Sequence, residues 1–314
     1  MKQILLIGST VADVIINVPR LPQTGDDVLL TNQSVHIGGC AYNVSNMLSH
    51  FRIPHTLCSP VGSGIYGDFI KNFFKKNNLS IFAEAEEENS CCYCLVDSNG
   101  ERSFVCGHGA EYKFKRKYFN KIDVENTDSA YICGLELEED TAGEEVSYIE
   151  ELSELNNEAG RNFTVFFAPA PRINFINEKL LERIFKCKPV LHLNRTEAFE
   201  FTKQNDVYEA AKKLNSLTDN HVIITLGKDG AFYFDGKTKE YGTVPPVKTT
   251  VVDTIGAGDS HFAGIIASLK QGKDLCTAVK TANLVAAAVT GTKGSTLSDK
   301  DFLTLKQSGL QEFL

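Results

Sequence analysis

The sequence predicts an α/β fold, a three-layer sandwich with a mainly parallel central sheet between two helical layers and a small β-sheet projecting from it. Three observations carry this. Short apolar runs of the buried-strand kind alternate with amphipathic stretches along most of the chain. Two segments break that rhythm and read as strands outside the main sheet. The chain has 314 residues, 42% hydrophobic and 23% charged, enough for a sizeable core without a disulfide or structural metal. At roughly 100–200 residues per domain the length allows one large or two small units. One domain over residues 1–314 is expected, with the two exceptional segments projecting from it.

The elements follow in order. Residues 3–7 form a short apolar run that ends in Gly8. Residues 38–51 carry helical spacing through Val44, Met47, Leu48 and Phe51. A strand is predicted over 56–61 and a helix over 66–77. Residues 129–133, 162–167, 190–193 and 221–226 are buried-strand runs, with helices between them over 142–157, 178–185 and 207–217. Two Ala- and Gly-rich helices, 257–270 and 275–289, close the pattern, and their small residues permit close packing. The exceptions are 14–37, with PRLPQTGDD and then alternation, and 90–106, two strands joined by Asp97-Ser-Asn-Gly100. The acidic run Glu84–Glu88 reads as a solvated loop.

Composition excludes several classes. Lys and Arg number 32 against 40 Asp and Glu, a net charge of −8, which disfavours general nucleic-acid binding. No run of about 18 apolar residues spans a membrane. The N-terminus resembles a signal peptide briefly, but Gly8, Ser9, Thr10 and Asp13 interrupt it. The nine Cys are scattered through apolar runs, so reduced thiols and a cytoplasmic location are expected. Cys91, Cys92 and Cys94 make no CxxC pair and have no adjacent His, so they are read as small apolar side chains rather than metal ligands.

The most informative segment is Asp253-Thr-Ile-Gly-Ala-Gly-Asp259. A strand-like run, 248–252, precedes it and an apolar helix follows. Gly256, Ala257 and Gly258 then form the first helical turn, with unpaired amides and the positive end of the helix dipole. Such an end binds phosphate, and the missing side chains let phosphate approach the backbone. A carboxylate beside a phosphate site repels the ligand unless it has a task. For Asp259 that task is general base, taking the proton from a hydroxyl as it attacks a γ-phosphoryl group.

DTIGAGD resembles the C-terminal signature of the ribokinase-like carbohydrate kinases, the PfkB family. Four further segments agree in family order: Gly38-Gly39-Cys-Ala-Tyr-Asn43 with the GG-x-x-x-N element, Asn194-Arg-Thr-Glu197 with N-x-x-E, Thr225-Leu-Gly-Lys-Asp-Gly230 with T-x-G-x-x-G, and Ala282-Asn283 through Lys293-Gly294-Ser295 with AN…KG. The likeness covers nearly the whole chain. It implies a ribokinase-like sandwich, ATP as donor and a small sugar as acceptor.

The resemblance implies roles residue by residue. Asp259 is the base, and the amides of Gly256, Ala257 and Gly258 form the anion hole. Asn194 and Glu197 position Mg²⁺, largely through waters. A helix cap is the alternative for that pair. Thr225 and Gly227 contact the nucleotide, unless they are an ordinary strand–turn–strand. Asn283 lies near the adenine, unless it is a buried polar residue satisfied by backbone. Asp13, Gly38, Gly39 and Asn43 line a polyol pocket, with a turn cap as the alternative for Asp13. Potassium-activated relatives place a K⁺ site at positions matching Asp253, Ile255, Val289, Thr292, Gly294 and Ser298. The projecting sheet, about 14–37 and 90–106, becomes a lid that closes over the sugar and excludes water. In the family such lids often pair into a homodimer.

Departures bear on the substrate. Cys40 stands where ribose-specific relatives usually carry Lys. His261 stands where many have an aromatic residue, and either faces the substrate or packs. A nucleoside or pseudouridine kinase of the same family is the main alternative, and a non-catalytic sugar-binding regulator a lesser one. A dinucleotide-dependent dehydrogenase is rejected, because Gly8-Ser-Thr-Val-Ala lacks GxGxxG.

Overall fold

The computed structural model describes residues 1–138 and 142–310. The chain opens with β1 (Gln3–Ile7), passes through Gly8 into β2 (Val11–Asn17), and returns along β3 (Asn32–Gly38). Next come α1 (Cys40–His50), β4 (His55–Cys58), β5 (Pro60–Ser63), α2 (Gly64–Lys76), β6 (Ala83–Glu88), β7 (Cys91–Val96) and β8 (Arg102–Cys106). Strands and helices then alternate through β9 (Thr127–Cys133), α3 (Ala142–Glu158), β10 (Thr164–Ala168), α4 (Glu178–Lys186), β11 (Val190–Asn194), α5 (Arg195–Thr202), α6 (Val207–Thr218) and β12 (Val222–Thr225). The hairpin strands β13 (Ala231–Phe234) and β14 (Tyr241–Val244) precede α7 (Ala257–Lys270), α8 (Leu275–Thr290) and α9 (Asp299–Gln307).

The central sheet has the order β14-β13-β12-β11-β10-β9-β1-β4. From β12 to β4 every pairing is parallel, and β13 and β14 add an antiparallel edge. A strand covered on both faces must be apolar on both. In β1, Leu5 and Ile7 join the core under α3, α4 and α6, while Ile4 and Leu6 join the core under α1, α7, α8 and α9. In β9, Ala130 and Ile132 divide from Tyr131 and Cys133 in the same way. This is the three-layer sandwich expected from the sequence. The small residues of α7 and α8 do bring them close: a Cβ added at Gly264 would lie 2.9 Å from the Cα of Ala282. Among the described residues no helix is long and apolar enough to cross a membrane.

The topology also locates a crevice. The chain moves from β1 to β4 in one direction and from β9 through β12 in the other. Beyond the carboxyl ends of β1 and β9 the winding reverses, and open α/β sheets bind ligands at such a point.

A separate four-stranded sheet has the order β3-β2-β7-β8. The Asp97–Gly100 turn joins β7 to β8: Gly100 N donates to Asp97 O at 3.0 Å, and the Asp97 carboxylate accepts Asn99 N at 2.8 Å. The sheet begins at Val11, ahead of the expected 14, so Asp13 lies on a strand and not in a turn.

Three expectations need correction. The strand expected over 56–61 is two strands in two sheets, because Pro60 has no N–H to continue the ladder; β4 pairs with β1, and β5 pairs with β6. The acidic run read as a loop is β6, whose residues alternate between half-buried and exposed along an edge pair. The run 248–252 is not a strand. It finds no sheet edge, and Val251 and Val252 stay exposed while the Val252 amide donates to Thr290 O at the end of α8.

Candidate active site

The turn that opens α7 forms as its glycines require. Gly256 caps α7 at φ 73°, a left-handed conformation, and a Cβ there would overlap Ser295 O. Ala257 N makes a long bond to Thr254 O at 3.3 Å. Around Gly258 the space is open. Asp253 organises the approach, accepting Ile255 N at 2.8 Å and Gly294 N at 3.1 Å.

Asp259, in the first turn of α7, meets the other half of the site there. Asn43 of α1 donates from Nδ2 to Asp259 Oδ2 at 2.8 Å across 216 residues of sequence. Asn43 is buried, and its Oδ1 has no partner. Burial pushes the Asp259 carboxyl up to about 6, while bonds from Asn43 and Cys40 hold it down. Asp13 is pushed up to about 7, first by burial and then by the nearby charges of Cys106 and Asp259. Gly38 faces Asp13, and a Cβ there would overlap the Asp13 carboxylate. Gly39 caps α1 just before Cys40. Asp13, Gly38, Gly39, Asn43 and Asp259 thus converge, with two carboxyls poised near neutrality and one free amide oxygen.

The expected nucleotide-side residues stand at neighbouring strand ends, where Asn194 of β11 pairs with Thr225 of β12. Asn194 and Glu197 are spent on each other in a capping box: Glu197 N donates to Asn194 Oδ1 at 2.9 Å, Asn194 N to Glu197 Oε2 at 2.8 Å, and Asn194 Nδ2 to Glu197 Oε1 at 2.7 Å. Gly227 opens a short turn with free space at its Cα. Asn283 is buried away in a polar chain. It donates to Val244 O and Pro245 O and accepts from His261, whose other nitrogen meets His192 at 2.9 Å. With Asn283 Oδ1 as acceptor, His261 carries its proton on Nε2 and His192 donates to His261 Nδ1. Burial drives His261 down to about 4, so this chain is neutral.

The cation positions fare unevenly. Asp253, Ile255 and Gly294 come together, but the Asp253 carboxylate is matched by the Arg102 guanidinium at 2.8 Å as well as by two amides. Val289 O accepts Thr292 Oγ1, and Ser298 caps α9. These partners occupy the Asp253 side chain, so a K⁺ at these positions would rest on backbone carbonyls, as the resemblance implies.

Two residues escaped the sequence reading. Arg102 of β8 reaches from the small sheet to the turn that opens α7, adding a bond to Thr254 Oγ1 at 3.1 Å. Glu136 follows β9 at the switch point, wholly buried. It accepts Ser9 N at 2.7 Å, and its Oε2 has no partner. Burial raises it to about 7 against the pull of Ser9. A carboxylate just past a buried strand was the available signal; nothing local tells which strand end it faces.

A sequence model described as the pfkB family of carbohydrate kinases matches residues 1–301. The chain belongs to that family. It is 34% identical over 298 residues to YegV, an uncharacterized sugar kinase of Escherichia coli (strain K12), covering 93% of this chain and 90% of that protein. Its fold is similar to ribokinase from Giardia lamblia, with a TM-score of 0.84 at 19% identity over 100% and 99% of the two chains. It is also similar to Arabidopsis thaliana ribokinase complexed with ribose and ATP, at 0.74 and 18% over 97% and 98%. As a pfkB kinase the chain is a phosphotransferase with a hydroxyl group as acceptor, of the ribokinase-like sugar and nucleoside kinases.

Proposed function

We propose that this kinase transfers the γ-phosphoryl group of ATP to a primary hydroxyl of a small carbohydrate, with Asp259 as general base. The contact between Asn43 and Asp259 carries the reading, because it joins an acceptor-type pocket to a phosphate-type helix start. A base near 6 is ionised at neutral pH yet retains affinity for the acceptor's proton. Asp13 and the free Oδ1 of Asn43 bind neighbouring hydroxyls and aim one of them at Asp259. The amides of Gly256, Ala257 and Gly258 stabilise charge on the transferring phosphoryl; losing one such donor typically costs about 10²–10³ in rate.

ATP as donor is supported by the solved ribokinase complex of similar fold. Mg²⁺ fits Asn194 and Glu197 only through water, since their own bonds occupy the direct positions. When bound it neutralises phosphate charge. The small sheet serves as the lid, with Arg102 drawing its edge onto the anion-binding turn and keeping water from the base.

One observation favours a nucleoside acceptor as the second reading. Phe104 lies on the same face of the small sheet as Asp13 and is 56% exposed, a surface on which a base can stack. A screen for ADP release over ribose, fructose, other ketoses, ketodeoxy acids and nucleosides decides. Release with a sugar supports the first reading, release with nucleosides alone moves the assignment to the second, and none with any of them removes both.

A further inference from the structure

Cys92 and Cys106 face each other across β7 and β8 with sulfurs 2.9 Å apart, both as free thiols. The mechanism uses neither. Ladder bonds join Gly107 N to Cys91 O and Asp97 N to Glu101 O, so the pair between them falls at a non-hydrogen-bonded position. Cα atoms at such a position lie about 4.5 Å apart. A disulfide accepts about 4.4–6.8 Å, so the backbone need not move to form one. Cys106 is exposed, which gives a small reagent access to the pair.

We propose that Cys92 and Cys106 form a redox-modification site that takes a low-molecular-weight disulfide of the glutathione type and closes into a cross-strand disulfide. Cys106 is the attacking sulfur. The hydrogen bond from Cys92 holds its thiol down to about 7, aided by His108 and Arg172 against burial, while Cys92 is pushed up. The Cys106 thiolate attacks one sulfur of the reagent, whose S–S bond breaks and releases one thiolate. Cys92 then loses its proton and attacks the Cys106 sulfur, expelling the second thiolate. The two cysteines lose two electrons and two protons, and the reagent gains them as two thiols. The pair adjoins the pocket that holds Asp13, since Cys92 pairs in register with Asp13. The chemistry itself holds whatever the acceptor is.

The test treats the full-length protein with oxidised glutathione at neutral pH, traps remaining thiols with iodoacetamide, and maps peptides by mass spectrometry. The expected product is a Cys92–Cys106 cross-link, reversed by dithiothreitol, with the intact mass lower by two hydrogens. Cys106 should form the mixed disulfide before Cys92 does, since its thiol is held down while that of Cys92 is pushed up. Cys92→Ser should stop at a mixed disulfide on Cys106, and Cys106→Ser should leave Cys92 unmodified. The proposal is overturned if wild-type Cys106 stays reduced, or if its mixed disulfide accumulates without closing on Cys92.

Discussion

Glu136→Gln is expected to stabilise the fold strongly at pH 8 and only weakly at pH 5. The carboxyl is 0% exposed, and burial lifts it from 4.5 to about 7. An acid with a raised folded value holds its proton more tightly in the folded state, so stability falls as pH climbs from the unfolded value to the folded one. Below 4.5 both states are protonated and nothing is lost; above about 7 the whole penalty is in force. Integrated over that window, wild type loses about 1 kcal/mol by pH 5 and about 3 kcal/mol by pH 8. Gln keeps an acceptor for Ser9 N and carries no charge, so it escapes this loss. Reversible urea unfolding at the two pH values measures the difference. A gain of about 2 kcal/mol or more at pH 8 relative to pH 5 is expected. An equal effect at both, or a variant less stable at pH 8, would refute a carboxyl whose ionisation burial opposes. Turnover should fall in the same variant, as expected where a cleft keeps a costly carboxylate.

Other outcomes follow from the site. Asp259→Asn should lower turnover by about 10²–10⁴ while calorimetry still detects nucleotide binding; near-normal turnover removes it as base. The acid limb of kcat/KM should rise through about 6 for Asp259 and about 7 for Asp13. Asn43→Ala should move the Asp259 part of that limb upward by about 1–2 pH units, since it deletes a bond to the charged form, and an unmoved limb would contradict the contact. Gly256→Ala should cost about 1–3 kcal/mol of strain in the turn that opens α7, read as lost turnover and lower unfolding free energy. Arg102→Ala should raise ATP hydrolysis without acceptor relative to transfer, with Arg102→Lys partly restoring the ratio; an unchanged ratio speaks against the lid contact.

Much of this was legible in the chain itself. Strand–helix alternation, the Asp97–Gly100 turn and the DTIGAGD helix start are local: each depends on side chains and backbone freedom within a few residues. The convergence of the 38–43 and 253–259 segments was expected from resemblance, and the bond between Asn43 and Asp259 realises it. Other features depended on distant neighbours. Val251 and Val252 look like strand residues, yet they join no ladder and the Val252 amide goes to Thr290 O at the end of α8. Glu84–Glu88 looks like solvated loop, yet β5 lay alongside. The N-x-x-E segment also forms a capping box, and Asn283 was drawn into a buried histidine chain.

Sequence by itself determined the layers, the glycine-rich helix start and the identity of the acid beside it. Tertiary structure alone decided which strand ends meet at the crevice, and so which carboxyls are buried there. It set Glu136 under Ser9, Arg102 against Asp253 and Cys92 opposite Cys106. Helical turns and hairpins arise from interactions a few residues apart, whereas burial, charge pairing and sulfur–sulfur approach are properties of neighbours that only chain topology supplies.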